Sequence, residues 1–310
     1  MVKIGIIGVG LWGSTHLRKL VNFREEGIIQ ISGIYDINKD RLKSISKEYL
    51  VPAKEINELL KESDGIIIAT PPSTHYEVAT KVINEGVTVL IEKPMTNNPR
   101  KAEEICKLAE KMKVEVLVGY ILRFNPAVRK LRELISRGGI GSITSLSARR
   151  VGPRGKRHRD VGVILDLATH EIDVARYILS RDPTEVYSMY GSICGDYEDY
   201  AIILLRYGDI LHTIQTNLLT PHKIRTLDIT GTEGYISMNY ISQDIIMYKE
   251  NQQLKIKVDK EEPLINELKH FINVIKGKEK PLCTCYDALI TLKTAYQALE
   301  YPNKNIKLNF

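Results

Sequence analysis

The sequence predicts an α/β chain in two parts, an N-terminal doubly wound parallel sheet and then an α+β domain with a large, mainly antiparallel open sheet. Three observations predict it. Short apolar runs alternate with amphipathic stretches over the first 120 residues, the grammar of βαβ units. Most of these runs are near-continuous Val, Ile and Leu, as a strand needs when both of its faces are covered. From Ile143 onward, short strands with alternating polarity and turn residues take over, as in an antiparallel sheet.

In order, the first part predicts strands at Lys3–Ile7, Ile28–Tyr35, a short one near Val51, Gly65–Ala69, Val87–Ile91 and Val114–Gly119. Helices near Ser14–Phe23, Lys39–Tyr49, Ile56–Lys61, His75–Glu85 and Arg100–Lys111 fall between them. Asn125-Pro126 opens a further helix, with Asn as N-cap and Pro in the first turn, and Gly138-Gly139 closes it. One helix is expected at Val163–Leu179. Strands follow at Val186–Ser192, Tyr200–Arg206, Ile210–Asn217, Ile224–Thr230 and Tyr235–Asn239, and two helices end the chain near Leu264–Lys276 and Tyr286–Tyr301. The expected division is a dinucleotide-binding domain at 1–120 and a substrate-binding and oligomerisation domain at 121–310.

At 310 residues the chain exceeds what one core usually serves. No apolar run approaches the ~20 residues of a membrane span, and the apolar start reads as a first strand, not an export signal. The cysteines (Cys106, Cys194, Cys283, Cys285) are few and irregularly spaced, and Cys283-Thr284-Cys285 lacks a second ligand pair, so no metal is expected. A reduced, cytoplasmic setting fits. The net charge of +6 suits anionic small molecules and is no argument for nucleic acid. There is no GxSxG turn, HExxH or P-loop, which excludes the corresponding hydrolase, zincin and NTPase readings.

Gly8-Val9-Gly10-Leu11-Trp12-Gly13 joins a predicted strand to a predicted helix. In a Rossmann-type unit the first glycine makes the tight turn, the second lets backbone approach a pyrophosphate, and the third allows close helix–strand packing. Leu11 and Trp12 belong to this turn, and the helix N-terminus that follows supplies N–H groups to the phosphates. Asp36 ends the second strand 23 residues after Gly13. A carboxylate there is placed to accept from ribose hydroxyls and to repel a 2′-phosphate, which favours NAD over NADP; Lys39 and Arg41 follow closely, and the alternative for Asp36 is a helix N-cap. Thr70-Pro71-Pro72 leaves the fourth strand at the same carboxyl edge, a stiff wall for the nicotinamide end, with His75 either part of that wall or only a helix start.

Glu92-Lys93-Pro94 ends the apolar run at Val87–Ile91. Ligands of open parallel sheets lie outside the carboxyl ends of the strands, so Glu92 and Lys93 face cofactor or substrate. Downstream, Val163 to Val174 reads as helix, and Asp166, His170 and Asp173 fall at i, i+4 and i+7, which places all three on one helical face. Histidine is the usual general base near neutral pH. A surface Asp–His pair is the alternative. The run from Arg149 to Arg159 carries six Lys/Arg and reads as a basic loop, which suits phosphate groups on a substrate or, alternatively, a solvated or subunit-contact loop.

These features together resemble the glucose–fructose oxidoreductase and inositol dehydrogenase family (Gfo/Idh/MocA). The likeness covers the whole chain: the glycine turn with His16 after it, Thr70-Pro71, Glu92-Lys93-Pro94, Gly119-Tyr120 with Arg123 and Asn125-Pro126, Asp166…His170, Glu267…Phe271 and Asp287-Ala288-Leu289. The resemblance implies Lys93 as hydrogen-bond donor to the substrate oxygen, His170 as base, Asp166 as orienting group, Arg123 in substrate binding, and a Lys93–Pro94 bond that is often cis. A narrower likeness joins Val151-Gly152-Pro153, Asp160 to Leu167 and Thr216 to Arg225 to the UDP-N-acetylglucosamine 3-dehydrogenase branch, with two departures: Leu218 replaces an aromatic, and Glu171 follows His170 in place of an aspartate. Arg154, Lys223 and Arg225 agree with a diphosphate-bearing substrate.

The sequence therefore reads as an NAD-dependent enzyme that oxidises a secondary hydroxyl of a sugar, foremost the 3-hydroxyl of a UDP-sugar. Lys93 and His170, from different domains, are expected to converge on one hydroxyl. The alternatives are an unphosphorylated polyol or sugar as substrate, an imine or pyrrole-ring reductase of the same fold, or a cofactor-binding regulator without turnover. An open sheet face predicts a homodimer or homotetramer.

Overall fold

A computed structural model of the chain describes residues 1–155, 161–193, 195–300 and 306–307. It divides into two compact units, Met1–Tyr120 with Leu264–Leu289, and Ile121–Pro263 with Ile290–Phe310. The segment from Leu264 to Leu289, assigned by sequence to the second domain, thus belongs to the first unit.

In the first unit the elements run β1 (Val2–Ile7), α1 (Leu11–Glu25), β2 (Ile29–Tyr35), α2 (Lys39–Tyr49), α3 (Ile56–Lys61), β3 (Gly65–Ile68), α4 (His75–Asn84), β4 (Thr88–Glu92), α5 (Pro99–Met112) and β5 (Val116–Gly119). The five strands are all parallel, in the order β2-β1-β3-β4-β5. β3 and β5 are buried at every position, the signature of a sheet covered on both faces. The strand expected near Val51 does not form; Ala53 makes one isolated bridge to Ile34. Pro52 breaks that run, because its nitrogen cannot join a ladder.

The second unit contains α6 (Pro126–Ser136), capped by the Asn125 side chain, which accepts from the Ala127 N–H. Then come β6 (Ile143–Pro153), α7 (Thr169–Leu179), β7 (Glu185–Gly191), β8 (Tyr200–Tyr207), β9 (Ile210–Asn217), β10 (Leu219–Gly231), β11 (Gly234–Asn239), β12 (Asp244–Lys249) and β13 (Gln252–Ile256). Two helices, α8 (Pro263–Ile275) and α9 (Cys285–Glu300), and a short β14 (Ile306–Lys307) complete the chain. The nine-stranded sheet has the order β13-β12-β11-β10-β6-β9-β8-β7-β14, and only β6–β9 is parallel.

β6 corrects the sequence reading. Arg149 to Val151, expected as loop, are ladder residues at the centre of this sheet, paired with β9 on one side and β10 on the other, and Pro153 pairs with β10. Its burial alternates, so the arginines fall to opposite faces, Arg149 exposed and Arg150 buried. No helix among the described residues is long and apolar enough to cross a membrane.

Candidate active site

The glycine turn follows β1. Gly8 has φ +91°, and a Cβ there would lie 2.8 Å from the Ala69 backbone; a Cβ on Gly13 would stand 1.8 Å from the Gly8 carbonyl. Both positions therefore demand glycine, one for conformation and one for contact. Gly10 is different: its missing Cβ faces open space, with nothing within 4 Å. That gap beside the first turn of α1 admits a pyrophosphate, and Leu11 and Trp12, both exposed, flank it. The turn thus fits a dinucleotide.

Asp36 is buried at the end of β2 and holds the turn directly, one oxygen accepting from the Val9 N–H (2.9 Å) and the other from the Asn38 N–H (2.8 Å). Arg41 reaches the same carboxylate at 3.4 Å. A carboxylate offers about four acceptor positions, so the two backbone donors leave capacity for ribose. The helix cap beyond is Asn38, not Asp36: its side chain accepts from the Arg41 N–H.

The carboxyl edges of β3 and β4 carry Thr70-Pro71 and Glu92-Lys93, with Thr70, Glu92 and Lys93 half-buried and Pro71 exposed. The Lys93–Pro94 peptide bond is cis. His75 ties the two exits together, its Nδ1 3.0 Å from the Pro94 carbonyl and its Nε2 2.8 Å from that of Thr70. It is fully buried, and burial pushes its pKa below the usual histidine value. A buried ring locked between two carbonyls shapes this edge from beneath and is not itself exposed to a ligand. Beside it, His16 donates from Nε2 to Glu92 Oε1 at 2.6 Å, while the Lys93 N–H donates to Glu92 Oε2 at 3.2 Å.

In the second unit, the helix expected from Val163 is not regular. A π-helical turn at Ile164–Ala168 precedes α7. Such turns place one extra residue in the helix and displace side chains from α-helical register, often at functional positions. Asp166 and His170 are half-buried. Asp173 is fully buried and accepts from Arg123 at Nε (3.0 and 3.1 Å) and Nη2 (2.7 Å). Asp173 is thus separated in role from Asp166 and His170, and Arg123, itself 3% exposed, is committed to the scaffold behind α7. Glu198 anchors the start of the π turn by accepting from the Ile164 N–H at 2.9 Å. A side chain on Gly162 would overlap that carboxylate, with its Cβ 1.8 Å from Oε2.

Glu171, the residue after His170, points into the unit. Arg150 donates to it from Nε (2.5 Å) and Tyr240 from its hydroxyl (2.6 Å), all three buried. Sequence spacing gave no sign of this trio, because its members lie on β6, on α7 and just after β11. On the adjacent β10, Lys223 is exposed and Arg225 half-buried. Arg225 donates to the carbonyls of Val151 and Ile224, and burial, with the charge of Arg150 beside it, lowers its pKa to about 10. Arg154 is exposed, 3.9 Å from Asp199. Lys156, Arg157 and Arg159 of the expected basic loop lie outside the described residues, as do His158 and Asp160.

The glycine turn with an acidic residue ending β2, followed by a lysine at the β4 exit, defines a nicotinamide-dependent oxidoreductase. Comparison with known proteins narrows the class. The NAD-binding Rossmann-fold model of the Gfo/Idh/MocA oxidoreductase family matches residues 2–120, and that family's C-terminal domain model matches residues 128–237. The chain belongs to this family and binds NAD through its first unit. The UDP-N-acetylglucosamine 3-dehydrogenase of Acidithiobacillus ferrooxidans is 26% identical over 91% of either chain. A solved structure of that enzyme superposes with a TM-score of 0.89, covering 97% of this chain and 98% of its own. The myo-inositol 2-dehydrogenase of Thermotoga maritima is 25% identical over 96% of this chain and 95% of its own.

Proposed function

We propose that the protein oxidises a secondary hydroxyl of a nucleotide sugar, foremost the 3-hydroxyl of a UDP-sugar such as UDP-N-acetylglucosamine. The observation that carries this reading is the cationic group at β6 and β10, where Lys223 and Arg225 lie against Gly152 and Arg154 follows Pro153, in the same unit as Asp166 and His170. Arginine forks match diphosphate oxygens, whereas a neutral inositol offers only hydroxyls and no charge to pair with them. The likeness to UDP-N-acetylglucosamine 3-dehydrogenase supports it.

In this mechanism His170 accepts the hydroxyl proton and Asp166 orients the ring or the imidazole. Lys93 donates a charged hydrogen bond to the oxygen on which negative charge develops. Bound NAD supplies the hydride acceptor. Gly8, Gly10, Leu11, Trp12, Gly13 and Asp36 hold its adenosine and phosphate portion, and Thr70, Pro71 and Glu92 border the nicotinamide end. His75 supports that border, and Arg123 supports α7.

The likeness to myo-inositol 2-dehydrogenase favours the second reading, an unphosphorylated polyol. Purified protein assayed for NAD reduction with UDP-N-acetylglucosamine, other UDP-sugars, inositols and glucose separates the two. Turnover of inositols alone overturns the nucleotide-sugar reading.

Self-association belongs to the same proposal. β8 alternates strictly between buried and exposed residues, and its outer row (Tyr200, Ile202, Leu204) joins exposed Met189 on β7 and Leu211 on β9. An apolar row of this kind on an open sheet face suits a second copy of the chain. Light scattering that finds only monomer at micromolar concentration overturns this part.

A further inference from the structure

Glu267, on α8 in the first unit, is buried, and neither of its carboxylate oxygens receives a hydrogen bond. It faces a second carboxylate. Its oxygens, those of Glu92 and the ring nitrogens of His16 include a set of three atoms within 4.8 Å of one another. Two ionised carboxylates this close, one of them fully buried, repel strongly, so the pair takes up one proton. The donors decide where it resides. Glu92 receives His16 Nε2–H at 2.6 Å and the Lys93 N–H at 3.2 Å, both of which stabilise its anion. Glu267 receives neither, so the proton lies on Glu267. Burial, with the charge of Glu92, holds the Glu267 carboxyl well above the usual carboxylate range.

We propose that Glu267 is kept as a neutral acid and that His16, Glu92 and Glu267 form a positioning triad for Lys93. The charged and titratable groups that face Glu267 are Glu92, at the end of β4, and His16, from α1. His270, one turn along α8, faces elsewhere: it accepts from the Leu282 N–H and donates to Glu279. Glu92 Oε2 binds the Lys93 backbone, so the triad sets the geometry of the residue that carries the ammonium. The protonation half of the proposal stands by itself; the positioning half rests on the dehydrogenase reading above.

The first test is linkage. A carboxyl that keeps its proton when folded must release it on unfolding above about pH 4.5. The wild-type protein and Glu267→Gln, whose amide mimics the neutral acid, are unfolded in urea at pH 5, 6, 7 and 8 without ligand. The ratio of their unfolding constants should rise about tenfold per pH unit over this range. A pH-independent ratio overturns the proposal, as does a ratio that is pH-independent in the protein as purified and becomes pH-dependent only after EDTA treatment, since a bound cation would then hold the proton's place. The second test is kinetic. Glu267→Gln should keep kcat within about threefold, whereas Glu267→Ala should lower kcat at least tenfold with KM for NAD little changed. Equal kcat for wild type, Gln and Ala variants overturns the positioning role while leaving the dehydrogenase reading intact; a wild-type protein inactive on every sugar removes that reading and leaves the linkage result standing.

Discussion

Arg123 and Asp173 form a buried, two-pronged ion pair, with Nη2 to Oδ1 at 2.7 Å, inside the second unit. A pair this deep is stabilising only while complete, because either partner alone is an unsolvated charge. Asp173→Asn or Arg123→Met should each cost about 3–5 kcal/mol of unfolding free energy. A double variant with apolar residues of matched volume should recover much of that loss. Urea denaturation of the three variants checks it, and equal loss in all three would mean the pair contributes only packing.

Catalysis offers the sharpest kinetic expectation. Lys93→Ala removes a charged donor to a developing oxyanion, and kcat should fall about a hundredfold or more. His170→Ala should cost about 10²–10⁴-fold. NAD affinity, measured by fluorescence quenching, should stay within threefold in both. A double variant that still turns over the true substrate at near wild-type rate defeats the mechanism.

Cofactor preference follows from Asp36. Its buried carboxylate at the end of β2 should favour NAD over NADP by at least tenfold, about 1.4 kcal/mol. Arg41, 3.4 Å from that carboxylate, is the residue positioned to counter it. Titration of both cofactors decides, and equal affinities would show that Arg41 prevails.

The cationic strip makes a separate claim. Replacing Arg154 and Lys223 by alanine should raise KM for the UDP-sugar about tenfold or more and leave NAD binding unchanged. Arg225 is a poorer choice for this experiment, because its hydrogen bond to the Val151 carbonyl also joins β10 to β6. An unchanged KM returns the strip to a surface or interface role.

Acid sensitivity follows from His212, which is fully buried with neither ring nitrogen partnered, so that burial lowers its pKa to about 3. The ring is neutral when folded, whereas the unfolded chain takes up a proton near pH 6.5. Its contribution is therefore complete above about pH 6.5 and lost progressively as pH falls from there, at about 1.4 kcal/mol per pH unit. His212→Phe should remove that slope between pH 6.5 and 5. A slope unchanged in the variant would assign the acid loss to other groups, His75 first among them.

Much of the fold was legible because its determinants are local. The glycine turn, the apolar strands and the Asn125-Pro126 cap announce themselves within a few residues. β6 was not legible, since Arg149 and Arg150 dominate the composition of a strand whose burial is set by β9 and β10, far away in sequence. The π turn was hidden for a related reason: Ile164–Ala168 is as apolar as any helix, and the Ile164 N–H that Glu198 receives comes from 34 residues earlier. Lys93, Asp166 and His170 stood out as residue types. The scaffolding roles of Arg123, Asp173 and Glu171 did not, because a charged side chain looks the same in sequence whether it meets solvent or a buried partner.

The return of Leu264–Leu289 to the first unit has a consequence for biosynthesis. The five parallel strands are complete by Gly119, yet Gly65 packs against Phe271 and Ile275, and Leu117 bridges Thr284. A ribosome must therefore translate β6 to β13 of the second unit before the nucleotide-binding half can close its core. Until then, that half emerges as an unfinished intermediate with an apolar seam uncovered, and the intervening sheet must fold without disturbing it.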